Sequence, residues 1–248
     1  MDYPKIETLF NRDEKFKVIE SDFRLPEFEA LKGISWHVTE KVDGTNVRIE
    51  YEPQYQPDKS DPTKYEYTGH SVQFGGHTEK AQLHPNLIKY LEGTFTLEKM
   101  GEALPNPSEG YVRAVVYVEG YGPKIQSGGK YRKDIAVRIF DVFIVDEENP
   151  LGGWWLEPDK VADIAFKLGV KTMPVIPLWD MSTIVNGVKG GLDSIVAKED
   201  YDHREAERYP LMEGVVARTK PLLFTRKGER VVWKLKTKDF MQGRAEGA

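Results

Sequence analysis

Lys41 sits in the run Glu40-Lys41-Val42-Asp43-Gly44-Thr45-Asn46, between two stretches that read as β-strands. A lysine amine is a nucleophile only after losing its proton. With an ordinary pKa near 10.4, roughly 4 to 5 kcal/mol separates the free amine from the ammonium at neutral pH. Neighbouring cations and a metal ion cut that cost, and the chain offers cations in Lys234-Leu235-Lys236. Strand alternation puts both amines on one face and Leu235 on the other. Asp-Gly is also a common hairpin signal, so Lys-X-Asp-Gly alone is more often the mark of a surface turn.

The lysine is followed by further segments in a fixed order. Glu119-Gly120-Tyr121-Gly122 ends one expected strand and Arg138-Ile139-Phe140-Asp141-Val142 lies inside another. Glu213-Gly214-Val215-Val216 opens a third, and Lys234-Leu235-Lys236 closes the last. With Lys41-Val42-Asp43-Gly44 they resemble the collinear motifs of the covalent nucleotidyltransferases: DNA ligases, RNA ligases and capping guanylyltransferases. The resemblance runs from about Trp36 to Asp239. Thr45-Asn46 after the glycine resembles the RNA-ligase branch, as does Gly120 to Tyr131 with Lys124-Ile125-Gln126 and Gly128-Gly129.

That resemblance implies an ATP-dependent RNA ligase that joins 5′-phosphate and 3′-hydroxyl RNA ends through a lysyl-AMP. Lys41 would carry AMP, while Lys234 and Lys236 would contact the nucleotide phosphate. Glu213 would support the catalytic metal, magnesium or alternatively manganese, and Glu119 would hold the ribose hydroxyls. Phe140 would stack on adenine, although an Ile-Phe-Asp-Val-Phe strand is core-like and Phe143 lies on the opposite strand face. Glu40 would help read adenine, and Asn46 and Arg48 would face the phosphates or the incoming RNA end. RNA ligases of this kind often carry an arginine where this chain reads Phe74-Gly75-Gly76-His77-Thr78-Glu79. His77 at that place would make the contact depend on pH.

These residues need strands to hold them. Apolar, β-branched runs at Trp36–Thr39, Val47–Tyr51, Tyr111–Val118, Ile135–Val145, Gly214–Ala217 and Val231–Leu235 predict strands. Helical patterns cover Pro85–Leu91, Pro158–Leu168, with Gly169 as its stop, and Leu192–Ala197. The mix predicts an α+β fold, and the resemblance makes it a ligase adenylation domain: mainly antiparallel sheets flanked by helices. Residues 1–248 read as one domain, with Pro53 to Pro62 an exposed hairpin excursion. The tail Thr237–Ala248 leaves no room for the C-terminal oligonucleotide-binding barrel that DNA ligases and capping enzymes usually add.

Composition narrows the chemistry. With no Cys, disulfides, thiolates and Cys-based zinc sites are excluded, so oxygen ligands and hence magnesium fit best. No apolar run spans a membrane and Met1 to Phe10 is not signal-like, so a soluble, cytoplasmic protein is expected. A net charge of -5 conceals two basic clusters. One is Lys124, Lys130, Arg132 and Lys133; the other runs from Arg218 to Lys238 with Glu229 as its only acid before Lys238. Charge runs are commonly solvated faces, but RNA would be gripped by such clusters. The alternatives are a compact DNA ligase, a guanylyltransferase or 5′-adenylating enzyme, or an inactive nucleotide- or RNA-binding module.

Overall fold

A computed structural model describes the chain apart from residues 62, 79–80, 105–110, 147, 179, 201–208 and 242–248. Glu79 and the end of the expected tail therefore lie outside the described residues. The chain forms two compact units: Met1–Tyr3, Gly44–Tyr121 and Asp134–Thr172 in one, and Pro4–Asp43, Gly122–Lys133 and Met173–Ala248 in the other. Each unit draws on three separated segments, so no linker marks the division.

The unit that contains Lys41 is built on a four-stranded sheet, in the order Glu7–Thr8, Val232–Lys236, Gly214–Thr219, Trp36–Lys41. Its two long pairings are antiparallel and only the short edge strand Glu7–Thr8 is parallel to its neighbour. One face is apolar. Trp36, Val38, Val215, Ala217, Trp233 and Leu235 pack there with Met181, Ile184, Val185 and Val188 of the helix Met181–Gly190. Each such side chain contributes on the order of 1.5 to 3 kcal/mol when fully buried. Asp180 caps that helix by accepting from the Thr183 N–H at 2.9 Å. The polar side chains that matter below lie on the other face.

Glu40 is the exception on the apolar face, only 1% exposed. Its Oε1 accepts from the Ser194 hydroxyl at 2.5 Å, and its Oε2 accepts from the Ile195 and Val196 N–H groups at 2.8 and 3.0 Å. Ser194 Oγ in turn accepts from the Ala197 N–H at 3.0 Å. The helix Ile195–Asp200, expected to begin at Leu192, thus starts where Ser194 and Glu40 satisfy its first donors.

The other unit holds a sheet in the order Lys171–Thr172, Ala136–Val145, Ala114–Tyr121, Thr45–Pro57, Tyr65–Gly76, with Gly153–Trp155 beside Ala136–Val145. All pairings are antiparallel except that of Lys171–Thr172. The helix Pro158–Leu168 has the expected limits, with Gly169 left-handed at φ 70° where its chain turns away. Pro85–Thr94 runs one turn beyond its expected end. Part of the Pro53–Pro62 excursion is strand, since Thr45–Pro57 and Tyr65–Gly76 pair out to Pro57 and Tyr65.

Removing the Glu40 carboxylate strands buried donors at the start of Ile195–Asp200. Glu40→Ala is expected to lower unfolding free energy by about 3 kcal/mol in urea titrations, since each orphaned buried group costs ~1–3 kcal/mol. A loss under about 0.5 kcal/mol would show that the anchor is not structural.

Candidate active site

On the polar face of the Lys41 sheet, strand register sets the spacing. Gly214 stands opposite Lys41 on one side and opposite Lys236 on the other. Gly214 has no alternative here, because a Cβ on it would lie 2.1 Å from the Leu235 carbonyl oxygen. Glu213, just before it, reaches both lysines: Lys41 Nζ donates to Oε2 at 2.6 Å and Lys236 Nζ to Oε1 at 2.6 Å. The backbone of Glu213 is fixed as well, its carbonyl accepting from the Thr237 N–H at 2.9 Å.

Lys234 is two residues before Lys236 on the same face. Burial holds its amine below the usual lysine range, and the charges of Lys41 and Lys236 push in the same direction. Three lysines therefore share one face, two of them paired to one carboxylate, an arrangement suited to a polyanion. The loop after Lys41 is held by Tyr131, a fully buried side chain whose hydroxyl accepts from the Asp43 N–H at 3.1 Å. Burial raises the Tyr131 pKa above the ordinary tyrosine value, and the nearby Glu40, Asp43 and Glu213 carboxylates add to this, so the phenol stays neutral.

Lys41 and Glu40 are consecutive in a strand and so point to opposite faces. Glu40, expected to read the base, is instead engaged with Ser194 and the first N–H groups of Ile195–Asp200. Sequence reasoning missed Ser194 and Tyr131. Asp193-Ser194 before an apolar run is a helix N-cap signal that would have marked the first. Nothing local marks a tyrosine that acts from 88 residues away.

Glu119, Asn46, Arg48 and Phe140 belong to the other unit. There, Asn46, Glu119, Arg138 and Lys171 form one cross-strand row. Glu119 Oε1 accepts from the Gly44 N–H at 3.1 Å. Gly44 packs so closely that a Cβ would lie 2.3 Å from the Gly120 carbonyl oxygen, which explains the glycine of Lys-X-Asp-Gly. Arg138 is buried and donates to the Tyr121 hydroxyl at 2.9 Å and the Thr172 carbonyl at 3.1 Å.

Phe140 sits at a bulge: Ile139 pairs with Val118 and Asp141 with Tyr117, so Phe140 is the extra residue. It is partly buried, its ring edge-on to Tyr3 at 5.0 Å, while Phe143 is buried beside Trp155. The Arg48 guanidinium binds Asp2 Oδ1 and the Gly76 carbonyl, each at 2.8 Å, and lies 3.3 Å from Glu50. Its charge is thus committed to its own unit. His77, next to Gly76, is exposed.

No group of three or more metal-ligating His, Asp or Glu side chains occurs among the described residues. Glu213 offers a single carboxylate. That fits magnesium or manganese in the manner of phosphate-bound ions, which keep several waters and take one or two carboxylates plus substrate phosphates.

His37 shares the polar face with Lys41, and its pKa falls to about 4 through burial first, then the Arg218 and Lys220 charges. An unfolded histidine takes up its proton near pH 6.5, whereas folded His37 resists until about pH 4. Its contribution to stability is complete above pH 6.5 and is lost as pH falls towards 4. Unfolding free energies of the wild type should therefore drop more steeply than those of His37→Gln between pH 6.5 and 4. Parallel curves would contradict this account of His37.

A protein-family model described as RNA ligase matches residues 34–236. No curated protein matches the chain. Solved structures of Naegleria gruberi RNA ligase are similar to it. The form with PPi has a TM-score of 0.54 at 16% identity, covering 99% of this chain and 64% of that one. A variant with ATP and Mn has a TM-score of 0.54 at 17% identity, with coverage of 97% and 63%. A variant with AMP and Mn has a TM-score of 0.52 at 16% identity, covering 96% and 63%. At these identities the likeness is one of fold, α+β with mainly antiparallel sheets. The chain spans just under two thirds of the length of those proteins.

Proposed function

The chain belongs to the RNA ligase family, and from that premise we propose that it is an ATP-dependent RNA ligase whose Lys41 carries AMP. The observation that supports this most is the pair of 2.6 Å contacts joining Lys41 and Lys236 to Glu213, with Lys234 beside them. In the first step the Lys41 amine would form a bond to the α-phosphorus of ATP while the bond to pyrophosphate breaks. The AMP would then pass to an RNA 5′-phosphate, and a 3′-hydroxyl would displace it to leave a phosphodiester.

Each step is a displacement at phosphorus, where fixed charge supplies most of the catalysis. Lys234 and Lys236 would bind phosphate oxygens and stabilise the charge that grows on them. Glu213 holds Lys41 as an ion pair, and an amine so held has its lone pair engaged in an N–H bond. Attack therefore requires the ammonium to give up that proton to solvent and to turn from Glu213 towards the phosphate. A bound divalent cation supplies charge neutralisation at the phosphates, and Glu213 is the residue that would support it. Glu119 is assigned to the ribose hydroxyls and Phe140 to adenine, with Asn46 near the phosphates. Arg48 and Glu40, committed to other contacts, act by holding structure. RNA ends are the proposed partners. Among the described residues no helix is long and apolar enough to cross a membrane.

Incubation with magnesium and α-labelled ATP or GTP, followed by denaturing electrophoresis, tests this reading. Label from ATP should stay on the wild-type chain and be lost in Glu213→Ala. Joining of a nicked RNA duplex should exceed joining of the all-DNA nick. No adduct with any of several divalent metals would sink the proposal, a GTP-only adduct would favour capping chemistry, and preferential DNA sealing would overturn the RNA assignment.

A further inference from the structure

Between the strands Gly214–Thr219 and Val232–Lys236 the chain makes a hairpin that the nucleotide chemistry does not use. It is narrow and well tied. Phe224 pairs with Arg230, Thr225 N–H donates to the Glu229 carbonyl at 2.7 Å, and Val231 N–H to the Leu223 carbonyl at 2.8 Å. Gly228, at φ 79°, takes the left-handed position its turn requires. Leu223 N–H is held at the base by Thr219 Oγ1 at 2.7 Å.

Phe224 is 45% exposed and Leu223 is 40% exposed. Lys220, Arg226 and Lys227 are exposed too, and none of the three forms an ion pair among the described residues. Glu229 is the only acid between Lys220 and Arg230. An exposed aromatic among cations is the surface that a single nucleic-acid strand recognises, bases stacking on the ring and phosphates meeting the charges.

Register shows where this surface faces. Burial alternates along the strand, with Arg230, Val232, Lys234 and Lys236 partly exposed and Val231, Trp233 and Leu235 buried. Directly paired residues share a face, so Phe224, opposite Arg230, lies on the face of Lys234 and Lys236. Arg230 is six residues from Lys236, roughly 20 Å at 3.3 Å per residue. Lys41 and Lys236 stand at one end of this sheet and the hairpin at the other.

We infer that the hairpin Lys220–Arg230 docks the RNA strand that leads to the sealed end, with Phe224 stacking on an unpaired base and Lys220, Arg226 and Lys227 holding phosphates. This rests on the RNA-ligase reading and names the substrate-gripping surface of that same face. Because the hairpin lies at the end of the sheet away from Lys41, it takes no part in adenylylation by ATP alone.

The test separates the two functions. Phe224→Ala and the double variant R226A/K227A are compared with the wild type, after thermal melts confirm that each is folded. Adduct formation with labelled ATP is measured without RNA, and affinity for a 5′-phosphorylated single-stranded RNA is measured by fluorescence anisotropy over a salt series. Adduct formation should stay within about twofold of wild type. RNA affinity should fall about tenfold in Phe224→Ala. In the double variant, the slope of log affinity against log salt should shrink by about 1.4, two phosphate contacts at ~0.7 each. Unchanged affinity and slope in folded variants would overturn the inference. So would a parallel fall in adduct formation and RNA affinity, which marks a merely structural hairpin. If the wild type forms no adduct, the ligase reading fails while the RNA titration still decides the docking surface.

Discussion

Everything at this site depends on a single carboxylate set among three lysines. Lys41, Lys234 and Lys236 share one face of one small sheet, where their like charges repel and burial adds to the cost of keeping Lys234 charged. Glu213 offsets that repulsion by binding two of them at 2.6 Å. The same contact holds Lys41 in place. On the proposed reading, polyphosphate oxygens would meet the lysines, and Glu213 would be the carboxylate that supports a divalent cation. On that reading, order at rest and readiness for attack would come from the same group.

Such a cluster needs a rigid backing, and strand alternation supplies it. Behind each lysine of the Lys-Leu-Lys segment stands an apolar neighbour: Trp233 and Leu235 fill the core while Lys234 and Lys236 point away from it. Glu40 performs the corresponding task behind Lys41 in polar form, fastening that strand to Ile195–Asp200. Tyr131 holds the next turn of chain through the Asp43 N–H. The two motif glycines have the same origin in close packing, Gly214 against Leu235 and Gly44 against Gly120.

Features that depend on local periodicity were legible in the sequence. The six strand segments, the common face of Lys234 and Lys236 and the helix Pro158–Leu168 all follow from side-chain alternation or from Pro and Gly at helix ends. The division into two units was not legible, because it depends on which distant segments pair. The helix Met181–Gly190 was missed although Met181, Ile184, Val185 and Val188 keep helical spacing and Asp180 caps it, because Gly187 and Gly190 are poor helix formers. Glu40 was expected at the base by resemblance, yet next to Lys41 in a strand it points to the opposite face, where Ser194 and two N–H groups engage it. Arg48 looked available for phosphate, but Asp2 and the Gly76 carbonyl, far away in sequence, take its charge. The bulge at Phe140 arises from a register shift with a neighbouring strand, which no single segment encodes.

On the proposed reading, the amine released from Glu213 is the one that becomes covalently modified. Peptide mapping by mass spectrometry of protein treated with ATP and magnesium, then quenched under conditions that preserve a phosphoramidate, reads it directly. One AMP is expected on the peptide containing Lys41. AMP attached to Lys234 or Lys236 instead would contradict it, since those lysines would then be nucleophiles rather than the fixed charges that serve one.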